Sequence, residues 1–338
     1  MKKVSITDVA KAADVSNSTV SQYLNKRFNY MSEGTKKRIE DAVEKLNYQP
    51  NYIARSLRQK KTSTIGVIVA NILHTFSTQV IRSIEDYCHL HQFHVIVCNA
   101  DDDPKKEKNY IKMLRAKQVD GLIVFPTGEN LDLYKKLLDE NYPLIFMDRL
   151  GPDGKGYSIL LDNEKASSLA VQHLIDEGIK EIGIVTTLLS QHLTPRLERV
   201  KGYRKVLEEN GLLVKDEYII HTELKQIKNS IKKMFALPNP PKGLVAGNDL
   251  TLLEILELCR EEGINLPREL ALVGIDEVPF ASAFNPMITT VAQPAFDMGS
   301  KAAKLLLQTI NDEIKETGNV FRFEPKLIIR ESSKQIQQ

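Results

Sequence analysis

The sequence predicts a mixed α/β body with two doubly wound parallel sheets, preceded by a small all-α head, and three observations carry that expectation. From Thr64 onward, short β-branched apolar runs alternate with amphipathic helical stretches. A chain of 338 residues, 42% hydrophobic and 27% charged, has room for more than one well-packed domain. Before Thr64 the apolar period is instead that of short helices, each opened by a capping residue.

The head reads as three helices. Ser5 with Asp8 three residues on makes a capping-box start, and Val9, Ala10 and Ala13 lie on one face of the turns that follow. A break falls at Asp14-Val15-Ser16, where Asp tolerates a left-handed turn and Ser16 can cap a second helix, Asn17 to Asn25, with Val20 and Leu24 facing inward. Two short helices around a tight turn make a helix-turn-helix candidate. Ser32 then caps a third helix, in which Ile39, Ala42, Val43 and Leu46 recur at helical spacing while Lys36, Lys37 and Arg38 face outward. The stop at Gln49-Pro50-Asn51 sets the head at residues 1–49. Residues 50–63 follow as a linker, with Tyr52 to Arg58 long enough for one or two helical turns.

In the body, Ile65–Ala70, His94–Cys98, Gly121–Phe125, Leu144–Met147, Ile159–Leu161, Ile182–Thr186, Gly243–Ala246 and Leu270–Ile275 read as continuous apolar strands, within a total of about ten. Helices such as Phe76–His91 and Ala166–Glu177 separate them, so the connections are crossovers and the sheets parallel. Ligands of such sheets bind beyond the carboxyl ends of the strands, and two sheets facing one another leave a cleft between lobes.

Charge divides the chain in the same place. Net charge is +2, but residues 1–61 carry 13 Lys and Arg against 6 Asp and Glu, leaving 33 against 38 for the remainder. A basic module on a slightly acidic body is the pattern of a nucleic-acid-binding head. The three cysteines have no C-x-x-C spacing and read as core thiols, and no cofactor or metal is called for. No signal peptide or membrane span is expected, which points to the cytoplasm.

Asp8-Val9-Ala10, Val15-Ser16, Ser18-Thr19-Val20-Ser21, Leu24-Asn25 and Tyr48-Gln49-Pro50-Asn51-Tyr52-Ile53-Ala54-Arg55-Ser56-Leu57 resemble the head and hinge signature of the lactose-repressor/galactose-repressor (LacI/GalR) family. The resemblance continues through Ile65-Gly66-Val67, Val119-Asp120-Gly121, Asp148-Arg149, Arg199 with Gly202-Tyr203, Asn248-Asp249, Gly274-Ile275-Asp276, Thr289-Thr290, Gln293-Pro294 and Arg330-Glu331-Ser332. It implies a transcription regulator, generally a repressor, with a periplasmic-binding-protein-like core at residues 64–338. Its N-terminal lobe spans about 64–162 and 294–323, and its C-terminal lobe about 163–293 and 324–338. It also implies a homodimer on a palindromic operator, switched by a carbohydrate-type effector.

Carried over residue by residue, Asn17, Ser18 and Gln22 would face base edges in the major groove, while Ser16, Thr19, Ser21, Asn25 and Asn51 would hold phosphates. Leu57 would wedge into the minor groove and Ala54 pack on its dyad partner. Gln22 departs from the family's usual Arg: an Arg fork matches guanine, whereas a Gln amide matches adenine. Asp14 departs from the usual Gly. In the cleft, Arg199, Asn248 and Asp276 resemble the polar residues of the C-terminal lobe, with Asp148 and Phe76 opposite. Arg196 lies one helical turn before Arg199, and Arg149 follows the neighbouring strand, so three guanidiniums would suit an anionic effector such as a uronate or sugar phosphate. The stretch from Ser21 to Ser32 also resembles the subgroup that controls uronate and pectin-sugar breakdown. A neutral sugar, or a phosphocarrier protein in place of a sugar, stays open.

Two other classes fare worse. An enzyme would need a nucleophile, metal or acid–base motif, and G-x-S-x-G, P-loop and H-E-x-x-H patterns are missing. An exported transport-type sugar-binding protein would share the body but needs no basic head.

Overall fold

The computed structural model describes residues 4–29, 31–48, 61–189, 194–314 and 318–334. The chain divides into two compact units, residues 1–62 and 63–338.

In the first unit, α1 (Ile6–Ala13), α2 (Asn17–Leu24) and α3 (Glu33–Lys45) close around Val9, Ala10, Ala13, Val20, Ile39, Ala42 and Tyr48, all buried. Local chemistry sets each boundary. Ser5 and Asp8 form the reciprocal capping box, and Ser16 and Ser32 cap α2 and α3. Asp14 ends α1 in the left-handed region at φ 51°, so the turn where Gly is usual is made here by Asp. The second helix stops at Leu24, one residue earlier than expected, because Asn25 leaves helical geometry and caps it.

The second unit holds two six-stranded sheets. In chain order the N-terminal sheet takes β1 (Thr64–Val69), β2 (His94–Asn99), β3 (Gly121–Val124), β4 (Leu144–Met147) and β5 (Tyr157–Leu161). Four helices alternate with or follow these strands: α4 (Thr75–Leu90), α5 (Pro104–Ala116) and α6 (Leu131–Asp139) within the lobe, then α7 (Asn163–Asp176), which begins the second lobe. The C-terminal sheet takes β6 (Ile182–Thr187), β7 (Ile219–Thr222), β8 (Gly243–Ala246), β9 (Ala271–Ile275) and β10 (Thr289–Ala292). Its helices are α8 (Thr194–Glu209), α9 (Ile227–Phe235) and α10 (Asp249–Glu262). The chain then returns as α11 (Ala295–Ile310) and β11 (Val320–Phe323) to the first sheet and ends with β12 (Lys326–Ile328) in the second.

Spatial orders are β11-β5-β4-β3-β1-β2 and β12-β10-β9-β8-β6-β7, and every pairing is parallel except β10 with β12. Among the described residues there are thus twelve strands rather than about ten, with an antiparallel edge that was not expected. His94–Asn99 also differs from its expected character: it is an edge strand with Val97 exposed.

Both faces of each sheet are covered. On the N-terminal sheet, Ile65, Val67 and Val69 meet Val80 and Ile84 of α4 and Met298, Ala302 and Leu306 of α11. On its other face, Ile68, Leu122 and Val124 meet Ile111, Leu114 and Leu137 of α5 and α6. The second lobe repeats the scheme, with α7 and α8 on one face and α9 and α10 on the other. Glycines permit the two tightest helix pairings. A Cβ on Gly202 of α8 would stand 2.2 Å from the Glu164 carbonyl oxygen of α7, and one on Gly299 of α11 would stand 2.8 Å from the Val80 carbonyl oxygen of α4.

In both sheets strand order reverses beside the first strand, between β1 and β3 and between β6 and β8. Such a reversal splays the following loops apart and opens a crevice beyond the carboxyl ends of the strands.

Candidate functional site

The head presents a polar surface on α2. Buried Val20 fixes the helix to α1 and α3, which leaves Asn17, Ser18 and Gln22 exposed and Thr19, Ser21 and Asn25 half-buried. Ser16 Oγ accepts from the Thr19 amide (3.2 Å) and lies 2.7 Å from Ser18 Oγ and 2.8 Å from Thr19 Oγ1, so its hydroxyl serves as the helix cap. Asn17 Nδ2 donates to Thr7 Oγ1 (3.3 Å), and Asn25 Nδ2 donates back to the Ser21 carbonyl (2.7 Å). The first turn of α2 holds no acidic residue, so its positive end remains open to an anion. Asn51, Ala54 and Leu57 lie outside the described residues.

In the second unit all seven residues expected at the cleft line a single one: Phe76, Asp148, Arg149, Arg196, Arg199, Asn248 and Asp276. Topology brings them together, since each follows the carboxyl end of a strand or lies within the first two turns of the helix after it.

On the N-terminal wall, Phe76 at the start of α4 packs edge-on against Phe125 after β3, with ring centroids 6.4 Å apart. Asp148 follows β4 in the left-handed region at φ 67°, which turns the chain so that Arg149 is buried. The Arg149 guanidinium donates to the Pro126 carbonyl and lies 3.8 Å from the carboxylates of Asp102 and Asp148.

On the C-terminal wall, buried Arg199 donates through Nε to Asn163 Oδ1 (2.8 Å) and through Nη1 to the Gly247 carbonyl. Arg196 donates to the Leu188 carbonyl (2.8 Å). Burial, then the nearby Arg149 charge, push the Arg196 guanidinium down to about 10, which leaves it cationic at neutral pH. Asn248 caps α10: its Oδ1 accepts from the Thr251 amide (2.9 Å), while its own amide donates to Thr251 Oγ1 (3.0 Å). Asp276, also left-handed at φ 97°, accepts from Gln293 Nε2 (2.5 Å) and from the Asp249 amide (3.2 Å). Burial raises its carboxyl to about 6 against the pull of Arg199.

Sequence reasoning missed several residues of this site. His74 and Gln293 line the cleft, and Asp249 supports it from behind. His74 Nδ1 lies 2.5 Å from Asp249 Oδ1, and the Thr75 amide donates to Asp249 Oδ2 (2.7 Å), so one carboxylate of the C-terminal lobe receives the start of α4 from the other lobe. A usable signal existed for His74: it stands in the loop beyond the end of β1, where such sheets bind ligands. No helix among the described residues is long and apolar enough to cross a membrane.

Residues 5–51 match the family model for bacterial regulatory proteins of the lacI family, and residues 171–333 match that for a periplasmic binding protein-like domain. The chain is 46% identical over 329 residues to the probable HTH-type transcriptional regulator EndR of Paenibacillus polymyxa, covering 96% of this chain and 97% of that protein. It is 33% identical to the HTH-type transcriptional regulator KdgR of Bacillus subtilis, covering 97% of both chains. Among solved structures, a lac repressor bound to ONPG in the repressed state shares the fold with a TM-score of 0.85 at 24% identity, over 98% of this chain and 100% of that one.

Proposed function

The chain belongs to the lacI family of bacterial regulatory proteins and is a DNA-binding transcription regulator with a ligand-binding effector domain; from that premise we propose that it is a cytoplasmic, dimeric repressor whose cleft takes an acidic sugar. Asn17, Ser18 and Gln22 read base edges, and Ser16, Thr19, Ser21, Asn25 and Asn51 hold phosphates. Ala54 and Leu57 act at the operator's centre.

One observation carries the ligand class. Arg196 and Arg199 line the cleft with no ion-pair partner among the described residues, whereas Arg149 already lies near two carboxylates. Two guanidiniums that line the cleft outside any direct ion pair favour a carboxylate or phosphate, which Arg binds through two parallel hydrogen bonds. Hydroxyls of the same ligand would meet Asn248, Asp276 and Asp148, and its ring face would meet Phe76.

Because the ligand touches both walls, it favours the lobe arrangement in which both sets of residues reach it, and it can shift operator binding only by its differential affinity for the two arrangements. Such couplings are typically about 1–3 kcal/mol, or roughly 5- to 150-fold.

The test is thermal shift of the purified protein against sugars, uronates and sugar phosphates, followed by titration of a selected operator with and without the ligand found. Arg199→Ala should lose the response while its ligand-free DNA affinity stays near that of the wild type. A normal response in that variant would place the sensor elsewhere, a phosphocarrier protein on the body's surface being the candidate partner.

A further inference from the structure

The cleft holds one more group suited to an acid, and it is set by a contact between lobes. His74 immediately precedes α4 on the N-terminal wall. Its Nδ1 is tied to Asp249, whose carboxylate also accepts the Thr75 amide and the Leu250 amide (2.8 Å). The other ring nitrogen, Nε2, has no partner among the described residues, although the residue borders the cleft. We propose that His74 is a specificity-determining residue of the effector site, oriented by Asp249 so that its Nε2–H is offered to the anionic group of the ligand. The proposal rests on the acidic-effector reading above.

The chemistry follows from the two forms of the ring. With its Nδ1–H given to Asp249, a neutral imidazole leaves Nε2 as a bare lone pair, which repels a carboxylate. Only the imidazolium donates at both nitrogens, so an anion at Nε2 selects the protonated ring. The surroundings favour that form. Burial opposes the charge, but the Asp249 bond, then the fields of Asp249, Asp276 and Asp102, raise the His74 pKa above its ordinary value. The remaining charged groups around the cleft are Asp148 and the cations Arg149, Arg196 and Arg199. A neutral sugar gains nothing from the proton, so His74 discriminates an acid from its uncharged analogue.

Proton linkage makes this measurable. Above the pKa of free His74, each anion bound must bring a proton with it, so affinity should fall up to tenfold per pH unit. Protonation of Asp276, whose carboxyl sits at about 6, acts in the same direction, so the difference between wild type and His74→Gln isolates the His74 contribution.

The probes are D-galacturonate and D-glucuronate, with D-galactose and D-glucose as neutral counterparts, titrated into the full-length protein by calorimetry in buffers of different ionisation enthalpy. Wild type should bind an acid in preference to its counterpart and, over the range pH 7 to 9, take up a proton on binding and lose affinity as the pH rises. His74→Gln should bind that acid about tenfold or more weakly at pH 7, with a flat profile above it and no proton uptake. Asp249→Asn should move the profile to lower pH. Absence of proton uptake by wild type throughout pH 7 to 9 overturns the proposal without recourse to any variant. A His74→Gln protein that keeps the wild-type pH profile overturns it too, while leaving the acidic-effector reading in place. Failure of these acids and of the sugar phosphates of the thermal-shift panel to bind overturns both.

Discussion

Gln22 stands exposed on α2, one turn beyond Ser18, where it has no structural task in the packing of the head. Its amide suits adenine N6 and N7, whereas Arg suits guanine, with each pairing worth ~1–3 kcal/mol of discrimination. Gln22→Arg should therefore change the preferred base at one position of each half-site and leave general DNA binding intact. Selection of sites from random DNA with both proteins checks this, and identical consensus sequences would remove Gln22 from the reading set. His173 makes a second prediction. Its ring is buried with Nε2 2.7 Å from Ser333 Oγ, and burial lowers its pKa below the ordinary 6.5. The unfolded chain takes up that proton as pH drops below 6.5 while the folded chain resists, so stability is lost on the acid side. The urea midpoint of wild type should fall more steeply below pH 6.5 than that of His173→Gln. Residues whose role is local were legible in the sequence: Ser5, Ser16 and Ser32 cap helices because of what lies three positions ahead. The pairing of His74 with Asp249 was not, since the two lie 175 positions apart and neither carries a local mark of the other.

Among the elements, α7 and α8 illustrate a contact set by one missing side chain. Gly202 lets the two backbones approach, and an added methyl group would meet the Glu164 carbonyl, which belongs to a helix and cannot move aside alone. Gly202→Ala should destabilise the protein by about 1–3 kcal/mol in urea unfolding. It should also weaken the effector response, because Arg199 sits less than one turn away on the same helix. Long apolar strands such as β1 and β9 were plain in the sequence. Strands with no buried residue were not: β11 reads Val-Phe-Arg-Phe, alternately exposed and half-buried, and β12 has three residues with Lys first. Such segments become strands because a neighbour offers a free edge, here β5 and β10, and hydropathy does not record that offer. The carboxyl-end rule did carry the cleft, as it depends only on the order of strands and helices.

At the scale of the whole molecule, the division into a basic head and an acidic body was visible in charge alone, and it implies that DNA affinity has a sequence-independent part as well as a specific one. As the proposed minor-groove wedge, Leu57 would belong to the specific part. An apolar wedge pays only where the duplex bends to accept it, so Leu57→Ala should reduce affinity for the operator much more than for random DNA. An unchanged ratio between the two, measured at fixed salt, would exclude the wedge. The return of α11 and β11 to the first sheet has a consequence for how the protein is made. The N-terminal lobe begins at β1, yet Met298, Ala302 and Leu306, which seal one face of it, emerge only after the core strands of the second lobe. At ~5–20 residues per second the ribosome leaves that apolar face uncovered for on the order of ten to fifty seconds. A stalled or prematurely terminated product that ends before α11 therefore carries the helix-turn-helix head on a lobe with one apolar face open to solvent.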